Sequence, residues 1–131
     1  MKLLLDTHIW LWSLVEPERL SRRVTKALEN ASSEMWISPV STWEILTLCQ
    51  KQRLTLRPDA AHWISAGLAK SLFKEATLTT EVLLATQHVS LPHRDPADLF
   101  LAASARVYGL TLVTADEQLL KGTGYQVLAG R

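Results

Sequence analysis

Short apolar runs alternate along this chain with longer segments that have the periodicity of a helix. The first run and the segment after it illustrate this alternation. The run from Leu3 to Leu5 is too short for a helix and is typical of a buried strand. It stops at Asp6, and an apolar, helix-like segment follows from Thr7 to Val15. Ligands of open α/β sheets bind beyond the carboxyl ends of the strands, so Asp6 is a candidate for chemistry. This stretch alone supports a role for Asp6 as helix cap equally well, because Asp is a favoured N-cap.

The same alternation continues to the end of the chain. Further strands are predicted at residues 35–38, 75–78, 110–114 and 126–128. Helices are predicted at residues 22–31, 39–52, 60–69, 80–88, 96–108 and 117–121. Short strands that alternate with helices indicate an α/β fold, with a parallel sheet sandwiched between helices. A single domain over residues 1–131 is expected, since no linker or repeat interrupts the pattern.

The clearest helix start lies at Asp95 and Pro96. Asp95 suits the N-cap, Pro96 suits the first helical position, and Asp98 falls in the first turn, where a negative charge is favourable. Gly109 stands where the helix should end. The sequence therefore predicts both the first and the last residue of this helix.

Composition narrows the classes of function. The 131 residues are 47% hydrophobic, which supports a sizeable core, and carry a net charge of +1. Because the chain as a whole does not attract polyanions, nucleic-acid binding would have to depend on local patches. The one cysteine, Cys49, cannot form an internal disulfide, and Asp6 breaks the apolar start that a secretory signal needs. A cytoplasmic protein without a membrane span is expected.

Four carboxylates, those of Asp6, Glu44, Asp98 and Asp116, occupy positions where an ordinary surface acid is not expected. Asp6 and Asp116 each follow a predicted strand, so a parallel sheet would bring both to the same edge. Asp98 shares a helical face with Ala102 and Ala105, whose small side chains let the helix lie close to a neighbour. We therefore expect Asp98 to be at least half buried, which requires a cation or hydrogen-bond donors nearby. A favourable interaction with the helix dipole is the plainer alternative.

Glu44 is a weaker candidate when it is taken alone. It lies between Val40 and Leu48 on its predicted helix, yet Thr47 is also near that face. A solvated glutamate is at least as well supported there. Asp95 already has a sufficient role as helix cap, so we place it outside the metal ligands.

Clustered carboxylates repel one another unless a cation lies between them. Oxygen ligands favour Mg²⁺ or Mn²⁺, whereas zinc would need cysteines and histidines at regular spacing. The one cysteine does not supply that pattern, nor do the scattered histidines His8, His62, His88 and His93. The chain has neither a glycine-rich phosphate loop nor a Gly-x-Ser-x-Gly motif. Such an acidic cluster typically serves phosphodiester or phosphoryl chemistry.

Four segments, in this order, resemble the PIN-domain family, and within it the VapC-type toxins of bacterial toxin–antitoxin pairs. Each segment carries one acid, and the segments are Leu4–Trp12, Ser41–Ile45, Asp95–Ala105 and Leu112–Asp116. The resemblance runs from Met1 to about Leu128. Many relatives carry Arg after the third acid, where this chain has Leu99.

The resemblance implies a three-layer α/β/α fold with a short central sheet and a Mg²⁺- or Mn²⁺-dependent ribonuclease that hydrolyses RNA. It also implies a homodimer, a small inhibitory antitoxin and a larger assembly with that antitoxin. The catalytic acids would be Asp6, Glu44, Asp98 and Asp116. Asp6, Asp98 and Asp116 would hold the metal, and Glu44 would orient or deprotonate the attacking water. Thr7 and Thr114 are candidates for hydrogen bonds to these acids or to a phosphate. Packing at a strand end and a helix cap is an alternative that is at least as well supported.

Three other classes are alternatives to this one. A phosphatase of the haloacid-dehalogenase type needs a second Asp two residues after Asp6, and that residue is His8. A receiver-type signalling domain needs an acidic pair and a late lysine, and neither is found. A catalytically silent module with the same fold stays open.

The first predicted helix has more apolar surface than one buried face requires. Its apolar residues include Trp10, Trp12, Leu14 and Val15, which point in nearly every helical direction. Either neighbouring helices bury both tryptophans, or an antitoxin segment covers the more exposed one. Under the second interpretation, that tryptophan is an anchor for the partner.

Overall fold

The computed structural model describes residues 1–70, 73–93 and 95–131. The strands in this part of the chain are β1 (Lys2–Leu5), β2 (Glu34–Ile37), β3 (Phe73–Glu75), β4 (Thr111–Thr114) and β5 (Gln126–Ala129). The α-helices are α1 (Thr7–Val15), α2 (Arg22–Glu29), α3 (Pro39–Gln50), α4 (Ala60–Lys70), α5 (Thr80–Ala85), α6 (Pro96–Tyr108) and α7 (Glu117–Lys121). One-turn 3-10 helices lie at Pro17–Arg19 and Thr86–His88.

The strands form one parallel sheet in the order β3-β2-β1-β4-β5. β1 lies at its centre, paired with β2 on one side and β4 on the other. A central parallel strand is covered on both faces, which explains why its residues Leu3, Leu4 and Leu5 are all apolar and fully buried.

Two apolar clusters cover the two faces of the sheet. Successive residues of a strand point to opposite faces. Leu3 and Leu5 accordingly belong to one cluster, which also contains Trp10 of α1, while Leu4 belongs to the other, with Leu101 of α6. The predicted three-layer α/β/α sandwich is confirmed.

Local signals place most helix ends correctly. Ser21, Thr79 and Asp95 each accept a hydrogen bond from the backbone of the helix that they precede. Gly109 ends α6 in the left-handed conformation, with φ of 65°, which glycine adopts without steric cost. The described part of the chain has no helix long and apolar enough to cross a membrane.

The strand predicted at residues 75–78 is wrong in position. β3 is Phe73–Glu75, in register with Met35–Ile37 of β2. Only the first predicted residue is part of it, and Ala76 adds one further hydrogen bond to the Ile37 carbonyl. Pairing with β2 sets the position of this edge strand, whose residues Lys74 and Glu75 are exposed, so the local apolar pattern did not mark it.

Candidate functional site

The acids singled out from the sequence surround one cavity at the carboxyl edge of the sheet. Asp6 directly follows β1, Asp116 lies two residues beyond β4, Asp98 is in the first turn of α6, and Glu44 lies within α3. The cavity has a volume of about 300 Å³, and all four acids line it. Asp95 lines it as well. Four separate segments of the chain therefore bring their carboxylates together.

Asp6 is held by hydrogen bonds at both of its carboxylate oxygens. Its Oδ1 accepts from the backbone N–H of Thr7, and its Oδ2 accepts from the hydroxyl of Thr114, each at 2.7 Å. The side chain is buried, with 8% of the residue exposed. Burial raises the pKa of Asp6, and these two hydrogen bonds oppose that rise. Each oxygen has a further lone pair, so Asp6 can still bind a cation.

Glu44 lies in the cavity rather than in open solvent. The Thr7 hydroxyl donates to its Oε1 at 2.6 Å. Partial burial raises the pKa of Glu44, and the nearby charge of Asp6 adds to the rise. The alternative of a solvated glutamate, left open by the sequence, does not describe this side chain.

Asp98 is an acid of the cavity whose pKa is strongly raised. Only 9% of the residue is exposed, as its alanine-lined helical face predicts. Burial, followed by the charges of Asp95, Asp6 and Asp116, raises the pKa of Asp98 to about 7. A carboxyl group with this pKa is placed where a cation would stabilise its ionised form.

The other two acids cap helices at the rim. Asp116 Oδ1 accepts from the backbone N–H of Gln118 at 2.8 Å, and its own N–H donates to the hydroxyl of Thr114. Asp95 Oδ1 accepts from the N–H of Ala97 at 3.0 Å, which confirms its predicted role as cap. Both carboxylates remain exposed and keep lone pairs for other partners.

The fold brings His93 against Asp98, although the chain does not supply a regular zinc pattern of cysteines and histidines. His93 Nε2 lies 3.3 Å from Asp98 Oδ2, and its Nδ1 accepts a hydrogen bond from the N–H of Asp95 at 3.3 Å. His93, Asp98 and Asp116 offer ligand atoms that all lie within 4.8 Å of one another. The sequence held one signal for this placement, since His93 stands two residues before the cap of the acid-bearing helix.

The donor set fits a hard divalent cation. Carboxylate oxygens dominate the cavity, and His93 contributes at most one nitrogen. Mg²⁺ and Mn²⁺ favour oxygen ligands, whereas a structural zinc site would use four cysteine or histidine ligands. Burial, and then the neighbouring carboxylates, raise the pKa of Asp98, and a dication would stabilise its ionised form.

Comparison with known proteins agrees with this geometry. A family model of the PIN domain matches residues 3–123. The chain is 34% identical over 119 residues to Ribonuclease VapC22 of Mycobacterium tuberculosis, which covers 88% of each protein. The chain therefore belongs to the PIN-domain family. Its identity with the mycobacterial protein places it among the VapC proteins of that family.

Solved structures share the fold at lower identity. A chain of VapBC2 from Rickettsia felis, bound to a promoter DNA fragment, matches with a TM-score of 0.74 at 14% identity and covers 100% of both chains. A chain of DNA-bound VapBC from Salmonella typhimurium matches with a TM-score of 0.68 at 17% identity, covering 98% of this chain and 97% of that one. These likenesses support the arrangement of the sheet and its helices.

Proposed function

We propose that this chain is a Mg²⁺- or Mn²⁺-dependent endoribonuclease, the toxin of a toxin–antitoxin pair. The observation that carries the proposal is the cavity into which Asp6, Glu44, Asp98 and Asp116 converge. The relative at 34% identity bears the name of a ribonuclease, which supports RNA as the substrate. The reaction is hydrolysis of a phosphodiester bond by water.

Asp6, Asp98 and Asp116 are the residues that would hold the metal. A bound divalent ion supplies charge neutralisation at the phosphate and lowers the pKa of water. Thr114 orients two of these ligands, because its hydroxyl connects the carboxylate of Asp6 with the backbone of Asp116. His93 Nε2 contacts Asp98 Oδ2 at 3.3 Å.

Glu44 is proposed to take the proton of the attacking water. The hydrogen bond from Thr7 fixes one carboxylate oxygen, Oε1. The raised pKa of Glu44 brings its basicity closer to that required near neutral pH. Its place in the cavity beside the metal-holding acids puts this base next to the phosphodiester.

The proposed antitoxin site is the apolar groove beside α1. This groove has a volume of about 390 Å³, and its apolar lining includes Trp12, Val15, Leu54 and Leu56. The two solved structures compared above are VapBC complexes, which supports a protein partner for this chain. A homodimer, and a larger assembly with the antitoxin, are proposed on the family resemblance.

Substitution of Asp6 tests the proposal. Purified wild-type protein is expected to cut RNA in the presence of Mg²⁺ or Mn²⁺. Cleavage should stop when a chelator is added. Asp6→Asn should cut more slowly by orders of magnitude, because it removes a charged ligand while keeping the side-chain volume. Asp59→Asn, an exposed acid that caps α4, is the matched control and should retain activity.

Three results would contradict the proposal. One is Asp6→Asn protein with undiminished, chelator-sensitive cleavage. The second is a wild-type protein that binds a partner and never cuts RNA, which would identify a silent interaction module. The third is hydrolysis of phosphomonoesters without RNA cleavage, which would instead favour the phosphatase.

A further inference from the structure

A depression next to the acid cavity carries a different charge. It has a volume of about 280 Å³ and lies between α3 and the start of α6. The cavity and the depression share part of their lining, namely Thr7, His8, Glu44 and Asp95. The two are therefore continuous, and a group held in the depression lies beside the candidate metal ligands.

Beyond this shared border, the described lining of the depression contains no acid. Trp43, Thr47 and Lys51 follow one another at four-residue spacing, so they form a stripe along α3 and its end. Arg53 lies beyond that stripe. Lys51 and Arg53 are exposed, and neither takes part in the ion pairs found among the described residues. The charge thus changes from negative to positive within one continuous surface.

Trp43 presents a large planar apolar ring in this depression. The residue is 62% exposed, although it directly precedes the half-buried Glu44. In the part of the chain that the structure describes, the indole packs on no other aromatic ring and no cation. Its face is therefore available to another ring, and nucleobases stack on such faces with little dependence on sequence.

We propose that the depression defined by Trp43, Lys51 and Arg53 is a nucleotide-binding subsite for single-stranded RNA. A base stacks on the indole of Trp43, while Lys51 and Arg53 pair with the flanking phosphates. Bases within a duplex already stack on one another, so only an unpaired nucleotide offers a free face. This inference rests on the proposed function, because the acids would cut the phosphodiester next to the bound nucleotide.

The stacking role is tested by RNA binding in a chelator, so that the RNA stays intact. The probe is a short, fluorescein-labelled single-stranded RNA of mixed sequence, followed by fluorescence anisotropy. Trp43→Ala should raise the Kd about 5- to 150-fold, the range expected for the loss of one base–aromatic stack. Trp43→Phe keeps a ring and should restore most of the affinity. Leu84→Ala, which truncates a residue 61% exposed on α5, is the matched control and should bind as wild type does.

The role of the two cations is tested by the salt dependence of the same binding. Replacing Lys51 and Arg53 together by Gln should lower the slope of log affinity against log salt by about 1.4, or about 0.7 for each phosphate that is no longer neutralised. The control replaces Arg23 and Lys26, two cations of α2, by Gln. That pair should leave the slope unchanged.

Several results would overturn the subsite. These are equal RNA affinity for Trp43→Ala and Leu84→Ala, equal binding of single-stranded and duplex RNA, and wild-type protein that binds no RNA. Loss of a dimer in Trp43→Ala, seen by light scattering with unchanged RNA affinity, would make this face a contact between copies. The proposed function fails separately if the protein binds single-stranded RNA through Trp43 and yet does not cut it in Mg²⁺ or Mn²⁺.

Discussion

At the scale of single residues, two threonine hydroxyls hold the acids of the cavity. Thr114 donates to Asp6 and accepts from the backbone of Asp116, so one hydroxyl connects the ends of β1 and β4. Thr7 donates to Glu44 from the first turn of α1. The hydroxyls compensate part of the desolvation that these carboxylates undergo, and they fix the oxygens that would face a cation.

Thr114→Val tests this support. Valine keeps the volume of the fully buried threonine and removes its hydrogen bonds. We expect a loss of about 1–3 kcal/mol in the free energy of unfolding, measured with urea, because Asp6 stays buried with one donor fewer. Metal affinity, measured by calorimetry, should fall as well. Thr77→Val, which removes an exposed hydrogen bond to Glu75, is the control. Unchanged stability and metal affinity in Thr114→Val would contradict the role.

Asp98 should make the stability of the metal-free protein depend on pH. Its pKa is raised from 3.8 to about 7, so between these values the folded protein keeps a proton that the unfolded chain releases. Its destabilising effect is thus absent below about pH 4, grows as pH rises, and is complete above about pH 7. Thermal unfolding in a chelator should show Asp98→Asn more stable than wild type at about pH 8, with the difference vanishing towards about pH 4. A difference that does not vary with pH would contradict this.

At the scale of elements, the start of α6 carries one residue with a structural role and one with a proposed chemical role. Asp95 caps the helix, and Asp98 faces the cavity one turn further on. The alanines Ala102 and Ala105 are fully or almost fully buried below Asp98, so the helix lies close to its neighbours. The close approach of this helix is what buries Asp98.

The two acids of α6 should therefore respond differently to substitution. Asp95→Ala should cost about 1 kcal/mol of stability, the usual value of an N-cap, and leave much of the RNA cleavage. Asp98→Ala should abolish cleavage and leave the metal-free protein at least as stable near about pH 8, because it removes a buried charge. Urea unfolding and a cleavage assay on both variants measure this. The reverse pattern would show that the two roles are exchanged.

At the scale of the whole molecule, the two tryptophans of α1 have different surroundings. Trp10 is fully buried and packs edge-on against Phe73 of β3, so it belongs to the core. Trp12 is half-buried at the groove beside α1, with the guanidinium groups of Arg19 and Arg131 at 4.4 and 5.6 Å from its ring. Trp12 is therefore the tryptophan that a partner could cover.

Trp12→Ala should weaken binding of the antitoxin. A central aromatic anchor typically contributes about 2 kcal/mol or more, which corresponds to a loss of about 30-fold or more in affinity. The proposed metal-dependent cleavage by the protein alone should persist. Calorimetry with the cognate antitoxin measures the change, and Leu84→Ala on α5 serves as the control. Unchanged affinity in Trp12→Ala would place the antitoxin elsewhere.

The sequence by itself determined the order of the elements, most helix starts and the candidate acids. These signals act within a few residues: the Asp95 side chain reaches the N–H of Ala97, and apolar positions recur with the period of a helix or strand. Local chemistry of this kind can be read without knowing which segments meet. These local patterns predicted Asp6, Asp98 and Asp116 as site residues. They also predicted that Asp98 is buried.

Only the tertiary structure decided which distant residues meet. Thr114 and Asp6 are separated by 108 positions, and Thr7 and Glu44 by 37, so no local pattern could pair them. The same holds for the edge pairing that sets β3 and for the choice of Trp10 over Trp12 for the core. Each of these contacts depends on how the helices pack against the sheet. Packing determines the distances between side chains, whereas spacing along the chain does not.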